Sequence, residues 1–325
     1  MVMNRFFIFA LSLSLLFSGV IRGDTFSHFD EKLECPQKAK KSRPVDINKD
    51  KLINQALFLS ADGYEWIAPN LDETEKTIYD NDSTFINDFP FEDYRPVVVS
   101  KQGIFFINDI DDTIKNCLRR RAPWEIKNKL IIEKYVRENS IALDIGSHIG
   151  THTVTMARSV GNNGTVLAFE PGKTIYRELC YNLAINHCEN VYPIRCAIGK
   201  SKSIIEVVLS HPNNEGGSYV VDSTGGSNSA ILLPLDVFEL NNVSFIKIDV
   251  ENMEADVLDG AEQTIRRNRP VMLIEIQGNA ERPVQLNENS EEMALISIEK
   301  IKQLGYRLIF LEGADYLALP EELYE

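Results

Sequence analysis

Short apolar runs alternate with amphipathic stretches between residues 141 and 276, and this alternation constrains the fold more than any other feature of the sequence. The apolar runs occupy residues 141–143, 166–169, 191–194, 245–248 and 271–276. Most of the intervals between them have helical periodicity, at residues 151–160, 173–186 and 253–268. Wholly apolar strands separated by helices are typical of a parallel sheet that is covered on both faces. The pattern therefore predicts an α/β fold with a doubly wound, mostly parallel sheet.

Further elements flank this alternating region. Two short strands are predicted at residues 96–100 and 103–107, and apolar residues at helical spacing follow between Trp124 and Tyr135. An extra β segment with glycine-rich turns is predicted at residues 203–209, 217–221 and 229–233. A helix at residues 293–304 then precedes two strands, at residues 307–311 and 316–319. Because Gly313 separates these two strands, we expect them to form an antiparallel edge of the sheet.

The first 23 residues have the order of a secretory signal. An apolar run at residues 6–17 follows Arg5, and small residues precede the polar sequence that begins at Asp24. This order predicts a cleaved signal peptide, with an uncleaved signal anchor or a buried helix as the alternatives. We therefore expect the chain in the secretory pathway, the periplasm or the extracellular space, with a membrane contact only if the segment remains uncleaved.

Three regions follow from this division of the chain. Residues 1–23 form the signal peptide or anchor, residues 24–95 an irregular, acidic N-terminal extension, and residues 96–325 the main domain. Within the extension, the helical stretch at residues 51–59 is the part that we expect to be best ordered.

Charge and cysteine content narrow the classes of function. The 325-residue chain has 34 Lys and Arg against 48 Asp and Glu, and its net charge of −14 argues against a nucleic-acid partner. The basic run at residues 119–121 is more typical of a solvated face than of a contact with an anionic acceptor.

Five cysteines cannot all pair within one chain, so free thiols and disulfides both remain open. No Cys/His cluster has zinc-ligand spacing, and we expect no metal.

A glycine turn after the first apolar run is the main candidate for chemistry. The turn has the pattern Asp-x-Gly-x-x-x-Gly, with Asp144, Gly146 and Gly150, and a helix begins at once. Glycines let the backbone pass close to a ligand, and the N–H groups of the helix face the crevice. Glu170 ends the second apolar run, 20 residues beyond Gly150, where an acid can accept both hydroxyls of a ribose. Together these residues predict a cofactor that contains a nucleoside.

The charge at this turn distinguishes between two cofactors. A dinucleotide site usually has Gly-x-Gly-x-x-Gly, whereas this turn has only Gly146 and Gly150. The carboxylate of Asp144 opposes a pyrophosphate but suits the ammonium end of S-adenosylmethionine, directly or through water. The residues therefore favour S-adenosylmethionine over NAD.

Six motifs stand out, at residues 144–150, 168–171, 214–218, 246–251, 257–262 and 270–276. Through these motifs the chain resembles the FkbM-type methyltransferases, over roughly residues 96–312. The resemblance implies a seven-stranded Rossmann-like methyltransferase fold and methyl transfer from S-adenosylmethionine, usually to an oxygen. The chain departs from the family where Asn252 follows Asp249-Val250-Glu251 in place of a glycine. Asn tolerates left-handed backbone angles, so we expect the turn to be kept.

Three acids are candidate catalytic residues, and each has an alternative. Asp249 and Glu251 lie at the carboxyl end of the fourth apolar run, where ligands bind in a doubly wound sheet, but both residue types also cap helices. Glu275 ends the fifth run among apolar neighbours, where burial would raise its pKa, and it is either a general base or an ordinary salt-bridge partner. We expect Lys247 to pair with a nearby acid.

The candidate cofactor-binding residues are Asp144, Gly146, Ser147, His148, Gly150, Glu170, Ala197 and Asp249. For His148 and His152 the alternatives are contact with an acceptor and a packing or capping role. Ala197 follows the third strand, where the adenine is expected, and plain packing is its alternative. Gly216, Gly217 and Ser218 are expected to form a turn over the cleft or a simple hairpin.

These residues predict an S-adenosylmethionine-dependent O-methyltransferase that acts on a hydroxyl of a glycan, a glycolipid or a small metabolite. A secreted, non-catalytic binding protein with a methyltransferase fold is the main alternative. An NAD-dependent oxidoreductase is the other, and the missing third glycine argues against it.

Overall fold

The computed structural model describes residues 48–83, 88–110, 112–211, 214–223, 226, 228–277 and 288–324. Within these residues the strands, in chain order, are β1 (Arg95–Val99), β2 (Gly103–Ile107), β3 (Ile141–Ile145), β4 (Thr165–Phe169), β5 (Val191–Ile194), β6 (Cys196–Ile198), β7 (Ser203–His211), β8 (Asn214–Asp222), β9 (Ser229–Leu233), β10 (Val243–Ile248), β11 (Val271–Glu275), β12 (Tyr306–Glu312) and β13 (Asp315–Pro320). The predicted signal segment lies outside the described residues.

The α-helices of the described chain are α1 (Lys49–Ile67), α2 (Glu73–Ser83), α3 (Thr113–Arg119), α4 (Ile126–Tyr135), α5 (Thr151–Val160), α6 (Lys173–Ile185), α7 (Glu254–Gly260), α8 (Glu262–Asn268) and α9 (Glu288–Gln303). None of these helices is both apolar enough and long enough to span a bilayer. The predicted helix at residues 253–268 is divided in two, and α9 begins at Glu288, ahead of the predicted start at residue 293.

A seven-stranded sheet forms the centre of the fold, in the order β12-β13-β11-β10-β3-β4-β5. The strands β11, β10, β3, β4 and β5 pair in parallel, whereas β13 is antiparallel to both β11 and β12. The predicted doubly wound, mostly parallel sheet is confirmed, and the antiparallel strand lies second from the edge. Chain order runs outward in both directions from β3 and β10, so the crevice between them is the topological switch point where such sheets bind ligands.

Both faces of this sheet are buried by alternating side chains of the same strands. On one face Ala142, Val166 and Phe245 pack with α5 and α6, and on the other Leu143, Leu167 and Ile246 pack with α7, α8 and α9. Full burial of a large apolar side chain contributes about 1.5–3 kcal/mol. Two-sided burial is the reason that these strands have continuous apolar sequences.

A second, four-stranded sheet has the order β6-β9-β7-β8 and follows β5 directly along the chain. Strands β7 and β8 form an antiparallel pair. Residues 216–218 lie inside β8, and Ser218 pairs with Leu209 of β7, so the turn over the cleft is wrong and the alternative, a simple hairpin, is confirmed. The extra β segment is confirmed, and it forms a wall beside the carboxyl ends of the main strands.

The N-terminal region differs from the irregular extension that we expected. The helix predicted at residues 51–59 extends over Lys49–Ile67, and Asn48 caps it by accepting a hydrogen bond from the Lys51 N–H at 2.9 Å. This helix, α1, packs against β5 and α6. Its buried residues Leu52, Ala56 and Leu59 are ordered because they cover the edge of the sheet.

Helix α3 was not predicted, and it changes the interpretation of the basic run at residues 119–121. The Arg119 guanidinium donates to the carbonyl oxygens of Asn108 and Ile110, both at 2.8 Å, and to Asn116 Oδ1 at 2.6 Å. Arg119 therefore closes a loop of the fold and is not a wholly solvated charge.

Candidate functional site

The predicted glycine turn holds three strand ends together. Gly146 has φ +82°, and the N–H groups of Gly146 and Ser147 both donate to the Phe169 carbonyl at 3.0 Å. A Cβ atom at position 146 would lie 1.8 Å from the Asp249 carbonyl oxygen. Only glycine fits here, because the backbone after β3 touches the backbone after β10.

The rest of the turn is built by its own hydrogen bonds. Ser147 Oγ donates to the Asp144 carbonyl at 2.7 Å, and the Gly150 N–H donates to the Ser147 carbonyl at 2.9 Å. Gly150 has φ +90° and precedes α5. Ser147 and Gly150 therefore shape the turn.

Glu170 is held by the backbone of the same turn. Its Oε2 accepts from the His148 N–H at 3.0 Å, and its Oε1 accepts from the Gly172 N–H at 2.7 Å. Burial raises the pKa of Glu170 to about 7 in spite of these two bonds. Each carboxylate oxygen keeps a second lone pair, so a ribose hydroxyl can still be accepted.

A cavity lies at the carboxyl ends of β3, β4 and β10, against the second sheet. The residues that line it are Ile114, Ile145, Gly146, His148, Phe169, Glu170, Pro171, Cys196, Ala197, Ile198, Val207, Tyr219, Val220, Asp249, Val250, Glu251 and Met253. Six predicted site residues are therefore brought together here: Gly146, His148, Glu170, Ala197, Asp249 and Glu251. Four others (Asp144, Ser147, Gly150 and Glu275) do not line the cavity.

Asp144 lies behind the turn and is fully buried. Thr153 Oγ1 donates to its Oδ2 at 2.5 Å, whereas its Oδ1 has no hydrogen-bond partner among the described residues. Burial raises the pKa of this carboxyl. A buried acceptor without a partner is costly, so Oδ1 is suited to receive a water or an N–H of a ligand.

Asp249 is the anion at the centre of the site. Its Oδ2 accepts a charged hydrogen bond from the buried Lys247 Nζ at 2.8 Å, which confirms the pairing expected for Lys247. Burial alone would raise the pKa of Asp249, but Lys247 and a hydrogen bond with Glu275 outweigh burial and lower it. Asp249 is therefore ionised at neutral pH.

Glu275 carries the proton of this pair. The charge of Asp249, followed by burial, raises the pKa of Glu275 to about 10. The raised pKa is confirmed, but a carboxyl that is protonated at neutral pH donates a hydrogen bond and cannot accept a proton. Glu275 can act as a base only after its own proton has left.

Glu251 lies in a strained turn beside Asp249. Glu251 has φ +51° and Asn252 has φ +74°, so the left-handed turn that we expected at Asn252 is confirmed. Gln277 Nε2 donates to Glu251 Oε2 at 2.5 Å. Burial and the neighbouring Asp249 raise the pKa of Glu251 to about 7.

The structure adds neighbours that sequence reasoning missed. Glu125 Oε2 lies 2.8 Å from His152 Nε2, and Asp315 Oδ2 accepts from Asn128 Nδ2 at 3.0 Å. His152 is thus buried against Glu125 and does not line the cavity, in line with a packing role. Glu125 precedes α4 and Asp315 begins β13, so neither follows a strand of the predicted parallel alternation, and no local pattern identified them. No group of three or more His, Cys, Asp or Glu in the described part of the chain is arranged to hold a metal ion.

The four cysteines within the described residues are free thiols. Cys180 and Cys188 are buried, and burial raises both pKa values to about 12. Cys196 lines the cavity, and burial raises its pKa as well. Disulfide pairing among these four is therefore absent, and Cys35 lies outside the described residues.

Comparisons with known proteins point to one family. A model of the methyltransferase FkbM domain matches residues 144–308. Methyltransferase 1 of Beauveria bassiana (strain ARSEF 2860) is 27% identical over 150 residues, which cover 38% of this chain and 59% of that protein. The chain thus spans less than two thirds of this curated relative.

Solved structures with similar folds have low identities. An FkbM methyltransferase from Methylobacillus flagellatus KT is 15% identical over 58% of this chain and 50% of its own, with a TM-score of 0.39. Cofactor-bound Rv0187 from MTB is 14% identical over 62% of this chain and 82% of its own, with a TM-score of 0.42.

Proposed function

Because the chain belongs to the FkbM methyltransferase family, we propose that it transfers a methyl group from S-adenosylmethionine to a hydroxyl oxygen of an acceptor. The observation that carries the proposal is the convergence of Gly146, Glu170 and Asp249 on one cavity at the switch point of the sheet. Such a cavity is the usual ligand site of a doubly wound fold.

The residues present fit the donor. Glu170 offers a carboxylate to ribose hydroxyls, and Ala197 with its apolar neighbours offers a surface for the adenine. The unpartnered Oδ1 of Asp144 offers an acceptor for the ammonium group, through a water because Asp144 does not line the cavity. The absence of a Cβ at Gly146 lets the backbone after β3 touch the backbone after β10, which keeps Asp249 on the wall of the cavity.

The donor supplies an activated methyl group on a sulfonium, so the protein mainly has to hold the acceptor oxygen in line with it. Positioning of two reactants can supply about 7–11 kcal/mol of the barrier reduction. A base that removes the hydroxyl proton adds about 10²–10⁴-fold.

Asp249 is the first candidate for that base, since it is ionised and lines the cavity. Glu251 is the second, because its pKa of about 7 lets it accept a proton near neutral pH. Glu275 is the third, and its bound proton gives it a supporting part, as a hydrogen-bond donor that holds Asp249.

The charges around the cavity favour a neutral acceptor. Asp249 and Glu251 lie on its wall, and Arg119, from the basic run at residues 119–121, donates to carbonyl oxygens of the protein itself. An anionic acceptor would be repelled by these carboxylates. A sugar hydroxyl on a glycan or glycolipid, or a hydroxyl of a small metabolite, fits this environment, and a nucleic acid does not.

Calorimetric titration of the full-length protein with S-adenosylmethionine, with NAD as the second ligand, tests the proposal. We expect micromolar binding of S-adenosylmethionine only, and loss of that binding in Glu170→Ala. Glu262→Ala is the matched control, because Glu262 is an exposed acid on α8 that pairs with Arg266. Binding of neither ligand would refute the enzymatic proposal and favour the non-catalytic binding protein. Binding of NAD alone would favour the oxidoreductase.

We also propose that residues 1–23 direct the chain into a secretory pathway. The apolar run at residues 6–17 after Arg5 supports this proposal. Expression in cells with such a pathway, followed by N-terminal sequencing, should give protein that begins near Asp24. A Leu13→Arg variant should retain its first residues and remain inside the cell. An export-competent Leu13→Arg variant would contradict the proposal.

A further inference from the structure

Three positions of the chain have the Asn-x-Ser/Thr pattern that accepts N-linked glycans, namely Asn81, Asn163 and Asn242. Short patterns of this kind also arise by chance, so the surroundings of each Asn have to separate a modification site from a coincidence. Asn81 belongs to α2, which ends at Ser83. Asn163 and Asn242 lie in the turns that precede β4 and β10. These two turns use their Asn residues in different ways.

The pattern at Asn242 is accounted for by the fold. Asn242 has φ +62°, a left-handed conformation that Asn tolerates better than other residues with a side chain. Its Nδ2 donates to the Asn139 carbonyl at 2.9 Å. Ser244 is buried, and its Oγ lies 2.7 Å from Ser140 Oγ. Both polar members of this pattern therefore have structural roles, and a sugar on the Asn242 amide would crowd its bond to Asn139.

The pattern at Asn163 has no such structural role. Asn163 is exposed, and its side chain has no hydrogen-bond partner among the described residues. Its backbone is not left-handed, so the conformation does not require Asn. Thr165 is half-buried at the start of β4, and its hydroxyl likewise makes no hydrogen bond within the described chain. The amide of Asn163 is thus available in solvent, with a Thr two residues further on.

The turn that carries Asn163 is fixed in position. The Gly164 N–H donates to the Gly161 carbonyl at 3.1 Å, and Asn190 Nδ2 donates to the same carbonyl at 3.0 Å. A Cβ atom on Gly164 would lie 2.5 Å from the Val160 Cβ, so the turn packs closely against the end of α5. A group attached to Asn163 therefore extends into solvent and costs the fold no hydrogen bond.

We propose that Asn163 accepts an N-linked glycan in the lumen of a eukaryotic secretory pathway. The co-reactant is an oligosaccharide whose first sugar is joined to a lipid diphosphate. The Nδ2 atom of Asn163 forms a bond to C1 of that sugar, and the bond from C1 to the phosphate oxygen breaks. The oxygen keeps the electron pair, and the nitrogen loses one proton. The inference rests on the proposed export of the chain and does not depend on the proposed methyl transfer.

This position is remote from the cavity. Strand β4 begins at Thr165 and ends at Phe169, and Phe169 lines the cavity. A strand rises about 3.3 Å per residue, so the two ends of β4 lie about 13 Å apart. The glycan is therefore attached at the amino-terminal edge of the parallel strands, opposite the edge that binds ligands. We expect it to leave the affinity for S-adenosylmethionine unchanged.

Expression of the full-length chain in mammalian cells, whose secretory pathway attaches N-linked glycans, tests the inference. The exported protein is treated with peptide N-glycosidase, which releases the glycan and converts the modified Asn to Asp. Peptide mass spectrometry then identifies the converted position. We expect the conversion at Asn163, and Asn163→Gln should lose the change in electrophoretic mobility that this glycan causes.

Three variants separate recognition of the pattern from a general effect on the turn. Thr165→Ala should lose the glycan although Asn163 is still present, whereas Thr165→Ser should keep it. Asn162→Gln is the matched control, because Asn162 is exposed in the same turn but has Gly164 two residues further on. It should keep the glycan. Calorimetry should give the same dissociation constant for S-adenosylmethionine with the glycosylated protein and with Asn163→Gln.

Several results would overturn the inference. Exported protein without a glycan at Asn163 would refute it and leave the proposed export and methyl transfer intact. A glycan that persists in Thr165→Ala, or that is lost in Asn162→Gln, would contradict recognition of the pattern. Weaker binding of S-adenosylmethionine to the glycosylated protein than to Asn163→Gln would contradict its position away from the cavity. A chain that stays in the cytosol with its first residues intact would refute the proposed export and this inference together.

Discussion

Replacing Gly146 with Ala should disrupt the junction between β3 and β10. Two separate costs arise, because Gly146 has φ +82° and its Cβ would lie 1.8 Å from the Asp249 carbonyl oxygen. The left-handed conformation costs a non-glycine residue roughly 1–2 kcal/mol. This separation is far below the 3.0 Å that Cβ atoms keep from other atoms. Because the Asp249 carbonyl belongs to the backbone, it cannot rotate away, and the two strand ends must separate.

Gly305→Ala isolates the conformational cost. Gly305 has φ +78°, and its Cβ would meet only the flexible end of Arg269, at 3.4 Å. We expect this variant to lose about 1–2 kcal/mol of unfolding free energy. Overpacking typically adds about 1–3 kcal/mol, so Gly146→Ala should lose about 2–5 kcal/mol.

Chemical denaturation of both variants measures these losses, and calorimetry with S-adenosylmethionine measures the effect on the site. Because Asp249 moves with its carbonyl, Gly146→Ala should also lose detectable donor binding, whereas Gly305→Ala should bind as the wild type does. If Gly146→Ala proved as stable as Gly305→Ala and bound the donor normally, the contact between the two strand ends would not hold the site together.

Three further predictions concern titratable groups. Since the pKa of Glu170 is about 7, donor affinity should fall about tenfold per pH unit below 7 and level off above it, and calorimetry should find this dependence absent from Glu170→Gln. Glu275→Gln should leave the unfolding free energy at pH 7 nearly unchanged, because Gln resembles a protonated carboxyl. Asp249→Asn should lower that free energy by about 3 kcal/mol, because it leaves Lys247 buried and unpaired. Equal losses for the two variants in chemical denaturation would contradict the assignment of the proton to Glu275. Three buried carboxyls have pKa values raised from 4.5 to about 7, namely Glu170, Glu251 and Glu254. As the pH rises, these carboxyls lose their protons in the unfolded chain first, so the stability that they provide below pH 4.5 is lost by pH 7. His148 has the opposite effect, because burial lowers its pKa to about 4. Denaturation at pH 5 and pH 7 should still find the protein less stable at pH 7, since three groups outweigh one.

The sequence was sufficient for the architecture of the sheet. Burial on both faces requires continuous apolar strands, and that requirement is local, so every strand of the predicted alternation is present. The helix at residues 253–268 is divided because Asp236, from a distant segment, accepts from the N–H groups of Gln263 and Thr264 and caps α8. A cap supplied from 27 residues away leaves no pattern in the helix itself.

The glycine turn, Glu170 and the acid pair at residues 249 and 251 were likewise identified from position along the chain. Each follows an apolar run, and the carboxyl ends of parallel strands meet at one edge. The sequence by itself therefore determined which residue types arrive at the cavity.

Only the tertiary structure decided how those residues act on one another. Glu275 keeps its proton because Asp249 lies beside it, and His148 is neutral at pH 7 because burial lowers its pKa. Glu125 lies beside His152 at the N-terminal end of α4, far from any predicted strand end. Hydrophobic periodicity records how each segment is buried, whereas protonation and hydrogen bonding depend on distances between segments far apart in the chain, and those distances are set only when the strands assemble.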